Sequence, residues 1–182
     1  MDTFDTIDTN CVFGICPEQQ RDVSLEVLLA DMAVNKVDRA MVVSLRGAYD
    51  DPAAGNAETL EVCAGRPELL PVATAGLSNV FEGNLAARLK SDGFVMLRLF
   101  PDDQGWSPQN VLFERLLDEC TEVGLPVAFP LGKKPDLASG LCKMAPEGCR
   151  LILSEVYYSV FPECLEVMRR RPDFLLEIGH LC

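Results

Sequence analysis

Short apolar runs alternate with amphipathic segments along the whole chain, a rhythm that predicts an α/β protein built on a parallel sheet. A first strand is expected over residues 4–13, followed by a polar loop. Ser24 then stands as an N-cap before Leu25, Leu28, Leu29 and Met32, whose i, i+3, i+4, i+7 spacing makes one helical face, with Asn35 as its left-handed terminator. The cycle repeats as strands over 40–44, 69–75, 94–101, 126–130, 150–156 and 174–178, with helices over 56–64, 79–91, 108–123, 135–146 and 161–170 between them. Gly140 and neighbouring prolines weaken the 135–146 helix, and Pro162 suits the first turn of the last one. Seven strands and six helices fill one domain spanning 1–182, with no low-complexity linker dividing it.

Composition narrows the partners. At 48% hydrophobic residues in 182, the chain has the apolar material for one substantial core. Lys and Arg number 16 against 28 Asp and Glu, a net charge of −12 that repels phosphate backbones and anionic headgroups, so neither nucleic acid nor a membrane surface is an expected partner. No apolar run approaches the roughly 20 residues of a membrane span. Eight cysteines are scattered without a Cys-x-x-Cys pair or a secretory signal, which fits reduced thiols and a cytoplasmic location. Cys120 and Cys164, set among apolar neighbours, read as small core hydrophobes. Arg169, Arg170 and Arg171 form the one dense basic spot and suit a helix C-terminus, where they complement the dipole.

The chemistry turns on the strand motifs. Ile7-Asp8-Thr9-Asn10-Cys11-Val12-Phe13-Gly14 resembles the opening Ile-Asp-x-His-x-His-Phe-Gly of the amidohydrolase superfamily, particularly its amidohydrolase-2 and decarboxylase branch, with Asn10 and Val12 in the histidine slots. Gly93-Phe94-Val95-Met96-Leu97-Arg98-Leu99 puts Arg98 where two-metal relatives carry a carbamylated lysine. Pro126-Val127-Ala128-Phe129-Pro130-Leu131-Gly132 puts Pro130, and Leu151-Ile152-Leu153-Ser154-Glu155 puts Glu155, where histidines stand. The resemblance implies a TIM-like (β/α)8 barrel that is incomplete here, since it stops after the seventh strand whereas a full barrel needs roughly 250 residues. The family's aspartate on the eighth strand then falls outside the chain, which is a fragment, a naturally short product or one piece of a split protein.

Under that alignment no metal and no cofactor is expected. Valine and proline offer no lone pair, a carboxamide oxygen is a weak ligand, and a guanidinium neither carbamylates nor loses its proton. The sole histidine, His180, follows the seventh strand, where the family places no ligand. Asn10, Arg98 and Glu155 would converge on the C-terminal mouth of the barrel, with Arg98 and Glu155 as a bidentate ion pair in the vacated centre. Two uses follow: a relic pair that neutralises a cavity, or a site in which Arg98 holds a small anionic ligand and Glu155 serves as general acid or base. Met96, Phe100, Trp106 and Phe129 are candidate apolar walls, and 102–105 is a lid or, more simply, a solvated turn.

Two functions compete. The first is a degenerate barrel without metal-dependent hydrolysis that binds a small anion or a protein partner. The unpaired edges and bared inner face of an incomplete barrel favour a homo- or hetero-oligomer. The alternative is an active hydrolase or non-oxidative decarboxylase with atypical ligands, zinc or another divalent metal, or a site completed by another chain.

Overall fold

The computed structural model of the protein describes residues 5–16 and 22–178. Among them, seven strands run parallel in sequence order: β1 (Ile7–Ile15), β3 (Arg39–Ser44), β4 (Leu69–Ala73), β5 (Met96–Arg98), β6 (Val127–Gly132), β7 (Leu151–Val156) and β8 (Leu175–Leu176). A two-residue strand, β2 (Asp22–Val23), pairs antiparallel with Gly14 and Ile15 at the top of β1, where the sequence had suggested only a polar loop. The helices are α1 (Leu25–Asn35), α2 (Leu45–Tyr49), α3 (Pro52–Cys63), α4 (Leu77–Phe81), α5 (Leu85–Ser91), α6 (Val111–Val123), α7 (Pro135–Met144) and α8 (Phe161–Arg170). The sheet curls into an open barrel.

Local chemistry sets the element ends. Ser24 Oγ accepts from Val27 N as the α1 N-cap, but Lys36, at φ 56°, is the left-handed terminator, and Asn35 instead closes the last helical turn. α3 begins earlier than its apolar spacing suggests because Asp51 accepts from the amides of Ala53 and Ala54, with Pro52 in the first turn. The helix expected over 79–91 is two helices, since Gly83 and Asn84 both take positive φ (80° and 56°) between α4 and α5. The buried run at 94–101 is paired as a strand only from Met96 to Arg98. α2, absent from the sequence reading, meets α3 backbone to backbone: a Cβ built on Gly55 would lie 2.2 Å from the amide nitrogen of Gly47.

Paired residues of parallel strands share a face, so the register separates two cores. Leu97, Val127, Leu151 and Leu153 point outward into a layer shared with the helices, where Phe113, Leu116, Leu117 and Phe174 are fully buried. Val72, Met96, Ala128 and Ile152 point inward and fill the barrel with Val12, Met41, Val43 and Phe100. Trp106 and Phe129, candidates for the wall of the mouth, belong to the outer layer, stacked with Phe113 at ring separations of 5.5 and 5.2 Å. Met96 and Phe100 are the two of that set that face inward.

Candidate functional site at the barrel mouth

Arg98 is the last residue of β5, paired with the inward Ala128 of β6, so its side chain rises from the inner face at the C-terminal end of the strand. Its Nη2 donates to Oε1 of Glu155 at 3.1 Å, and its guanidinium lies 5.0 Å from the Phe100 ring centroid. The pair expected from sequence is therefore formed, through one nitrogen and not as a bidentate fork. The Arg98 side chain is 9% exposed, that of Glu155 is 41% exposed, and Arg98 Nη1 is buried without a hydrogen-bond partner. Beside Glu155, the Ser154 hydroxyl is likewise buried and unpartnered. Such orphaned groups cost stability unless something else meets them.

Glu155 reaches this position by an unusual backbone. At φ 53° it is one of three non-glycine residues with positive φ among the described residues, and the turn breaks the alternation of β7. Val156 thereby returns to the outer layer after Leu153. Left-handed conformation in a residue of this kind is strained, and the strain is local to the site.

Asn10 arrives by a second irregularity. Between Asp8 and Cys11 the register slips, so that Thr9 and Asn10 together oppose Met41 of β3. This bulge is held by Asp8 Oδ1, which accepts from the amide of Asn10 at 3.0 Å, and bulges of this kind re-aim a side chain. The Asn10 carboxamide donates not to Arg98 or Glu155 but to Oε1 of Glu177, across the opening between β1 and β8.

Glu177 did not emerge from the motif alignment. Its amide donates to Leu153 O at 2.9 Å, which continues the pairing of β8 for one residue beyond the strand. Because Leu176 packs in the outer layer, the period-2 alternation puts Leu175 and Glu177 on the other face. Burial pushes the Glu177 carboxyl above its usual range; the Asn10 hydrogen bond and the Arg98 charge oppose that rise, and Glu155 and Asp8 add to it. Asn10, Arg98, Glu155 and Glu177 thus form one electrostatic cluster. Cys11, at its edge, is pushed up to about 12 by burial and by Asp8, which favours the thiol over the thiolate.

These residues do not fit the metal that the resembling enzymes would imply. Val12 and Pro130 bring no donor, and Arg98 brings a fixed positive charge. Among the described residues no group of three or more His, Cys, Asp or Glu is placed to hold an ion. His180 lies outside the described residues. Residues 101–105 form a turn whose Asp102 is held by Lys134 Nζ at 2.6 Å. Within the arginine triplet, Arg169 and Arg170 pair with Glu166 at the surface of the last turn of α8, while Arg171 packs inward and donates to the carbonyls of Cys142, Ala145 and Pro146 and to Asp173. No helix among the described residues is long and apolar enough to cross a membrane.

No protein-family model matches the chain, and no curated protein matches it in sequence. Solved structures do match. A probable 2-pyrone-4,6-dicarboxylic acid hydrolase from Acinetobacter baumannii with citric acid bound has a TM-score of 0.66 at 13% identity, covering 97% of this chain and 70% of its own. An amidohydrolase from Burkholderia multivorans has a TM-score of 0.66 at 11% identity, covering 95% of this chain and 69% of its own. A 2,6-dihydroxybenzoate decarboxylase in complex with 2,6-dihydroxybenzoate has a TM-score of 0.58 at 14% identity, covering 98% of this chain and 67% of its own. At these identities the likeness is one of architecture, and the chain carries the barrel fold of amidohydrolase-type hydrolases and decarboxylases, in the form of seven parallel strands.

Proposed function

We propose that this protein is an amidohydrolase-fold protein whose mouth binds a small carboxylate and does not carry out metal-dependent hydrolysis. The observation that carries this reading is Arg98: a nearly buried guanidinium with one nitrogen on Glu155 and the other without a partner. Nη1 has no accessible surface here, so a ligand carboxylate would satisfy it once the guanidinium turns toward the mouth, with a charge-assisted hydrogen bond, which is stronger than a neutral one. Citric acid and 2,6-dihydroxybenzoate, bound in two structures of like fold, are also carboxylates. Calorimetric titration of the full chain with citrate and with 2,6-dihydroxybenzoate tests the reading. Saturable binding that Arg98→Gln weakens by about 1.5–3 kcal/mol, the range of a charged hydrogen bond, is expected; binding indifferent to that change would sink it.

The open side of the barrel favours a second reading. Leu175 is 54% exposed on the inner face, and among the described residues β8 is the last strand of the sheet, with no strand on its outer edge. A homo- or hetero-oligomeric partner that covers this edge would complete the mouth and supply further ligands, giving an active hydrolase or non-oxidative decarboxylase with Glu155 as general acid or base. Stoichiometric zinc or manganese after chelator-free purification, together with a solution mass above the monomer, is its expected signature. Activity that survives chelation and disappears in Glu155→Gln would instead assign the chemistry to Glu155 and Arg98 alone.

A further inference from the structure

A cavity of about 590 Å³ lies between the loop after β5 and helix α7 and contains none of Asn10, Arg98, Glu155 and Glu177. That volume is within the roughly 300–1,000 Å³ of small-molecule sites. Phe129, Leu141, Trp106, Leu137 and Met144 line it. The Trp106 ring is fixed by Phe113 and Phe129 and its indole N–H is already given to Gln104 Oε1 at 2.9 Å, so it offers the cavity hydrocarbon and no free donor. At the rim, Lys134 Nζ is taken by both carboxylate oxygens of Asp102, at 2.6 and 2.8 Å, and the remaining charge is the carboxylate of Asp136. No uncompensated cation waits for an anion there.

Gly140 supplies the independent observation. It stands in the middle of α7 and lines the cavity. Glycine in a helix interior is destabilising relative to alanine. Here neither usual reason for it applies: its φ is not positive, and a Cβ built on it would meet no atom within 4 Å. What the missing side chain does is leave the wall of the cavity as bare helix backbone, open to close approach from outside the chain.

We propose that this cavity binds a small, uncharged, flat aromatic molecule, held among Trp106, Leu137 and Met144 with its edge over the backbone of Gly140. Flatness follows from the rigid aromatic wall, and neutrality from a rim whose only cation is already paired. The site is separate from the carboxylate site at the mouth, and neither depends on the other.

Trp106 is the only tryptophan in the chain; it borders this cavity and also a hollow beside Gly47 and Leu77, so the Gly140 variants decide which of the two the emission reports. The test is a fluorescence titration of the full chain with three molecules of similar size: benzyl alcohol, benzoate and cyclohexylmethanol. A saturable change with benzyl alcohol is expected, with benzoate at least about tenfold weaker because its charge would be buried unpaired, and cyclohexylmethanol weaker because it is not flat. Gly140→Leu is expected to abolish the response, and Gly140→Ala to weaken it while raising the melting temperature by about 2–4 °C, which separates lost binding from lost folding. A flat titration, equal binding of benzoate, a Gly140→Ala variant that binds as well as the parent, or an emission change that tracks protein self-association would each overturn the proposal.

Discussion

The two faces of one sheet are built on opposite terms. The outer face, packed against the helices, is filled by apolar side chains such as Phe113, Leu117, Phe129 and Leu153, whereas Arg98, the one charged residue that is buried among the described residues, rises from the other. The inner face is apolar at its base, through Val43, Val72 and Met96, and polar at its mouth, where Arg98 Nη1 and Ser154 Oγ have no partner and Glu155 is held in a strained backbone. Folding energy comes from the first face. The unpartnered polar groups sit on the second, at some cost in stability.

The sharpest way to test that contrast is to damage the outer face. Phe113→Ala removes a ring with no exposed surface and should lower stability by about 3–5 kcal/mol, measured by urea or guanidinium unfolding. Gly55→Ala comes next, because its Cβ has nowhere to go against the backbone of Gly47; a loss of about 1–3 kcal/mol is expected in the same measurement. Arg98→Met should change stability by no more than about 1 kcal/mol, since an apolar side chain of similar length replaces a buried charge whose partner is already half in water. A loss as large as that of Phe113→Ala would erase the distinction between the faces.

The smallest effect is one of pH. Burial raises the Glu177 carboxyl above its unfolded value, so in the pH range around those two values the folded protein binds more of this proton than the unfolded chain does. The contribution of this group is therefore most favourable below the unfolded carboxyl pKa of about 4.3 and is lost as pH rises through the higher folded value. Glu177→Gln removes that decline. Thermal melts from acid to neutral pH should show the variant gaining on the parent as pH rises; parallel curves would mean that Glu177 is not held toward its protonated form.

The outer face was the more legible of the two in the sequence. Strand order and most helices follow from apolar runs and spacing, because burial on both sides of a parallel sheet writes itself as continuous hydrophobic stretches. Periodicity could not reveal β2 or α2, which are two and five residues long, or the break that Gly83 and Asn84 put between α4 and α5. At the mouth, the motif frames put Arg98 beside Glu155, and the structure forms that pair. Asn10 went to a different partner because a bulge, invisible as a pattern, re-aims it. Glu177 was within reach: counting in twos from an inward Leu175 marks it as inward too, although none of the resembling strand motifs extends to it.

The Asn10–Glu177 hydrogen bond joins two strands that lie 167 residues apart in the chain. Closing so long a loop is the last entropic cost to be met, and one side-chain bond is a small return on it. The seam between β1 and β8 should therefore be the final contact made in folding and the first to open in the native state, well below the free energy of global unfolding. Amide exchange would register it as a strip of weak protection along Leu175, Leu176 and Glu177 while β6 and β7 stay closed.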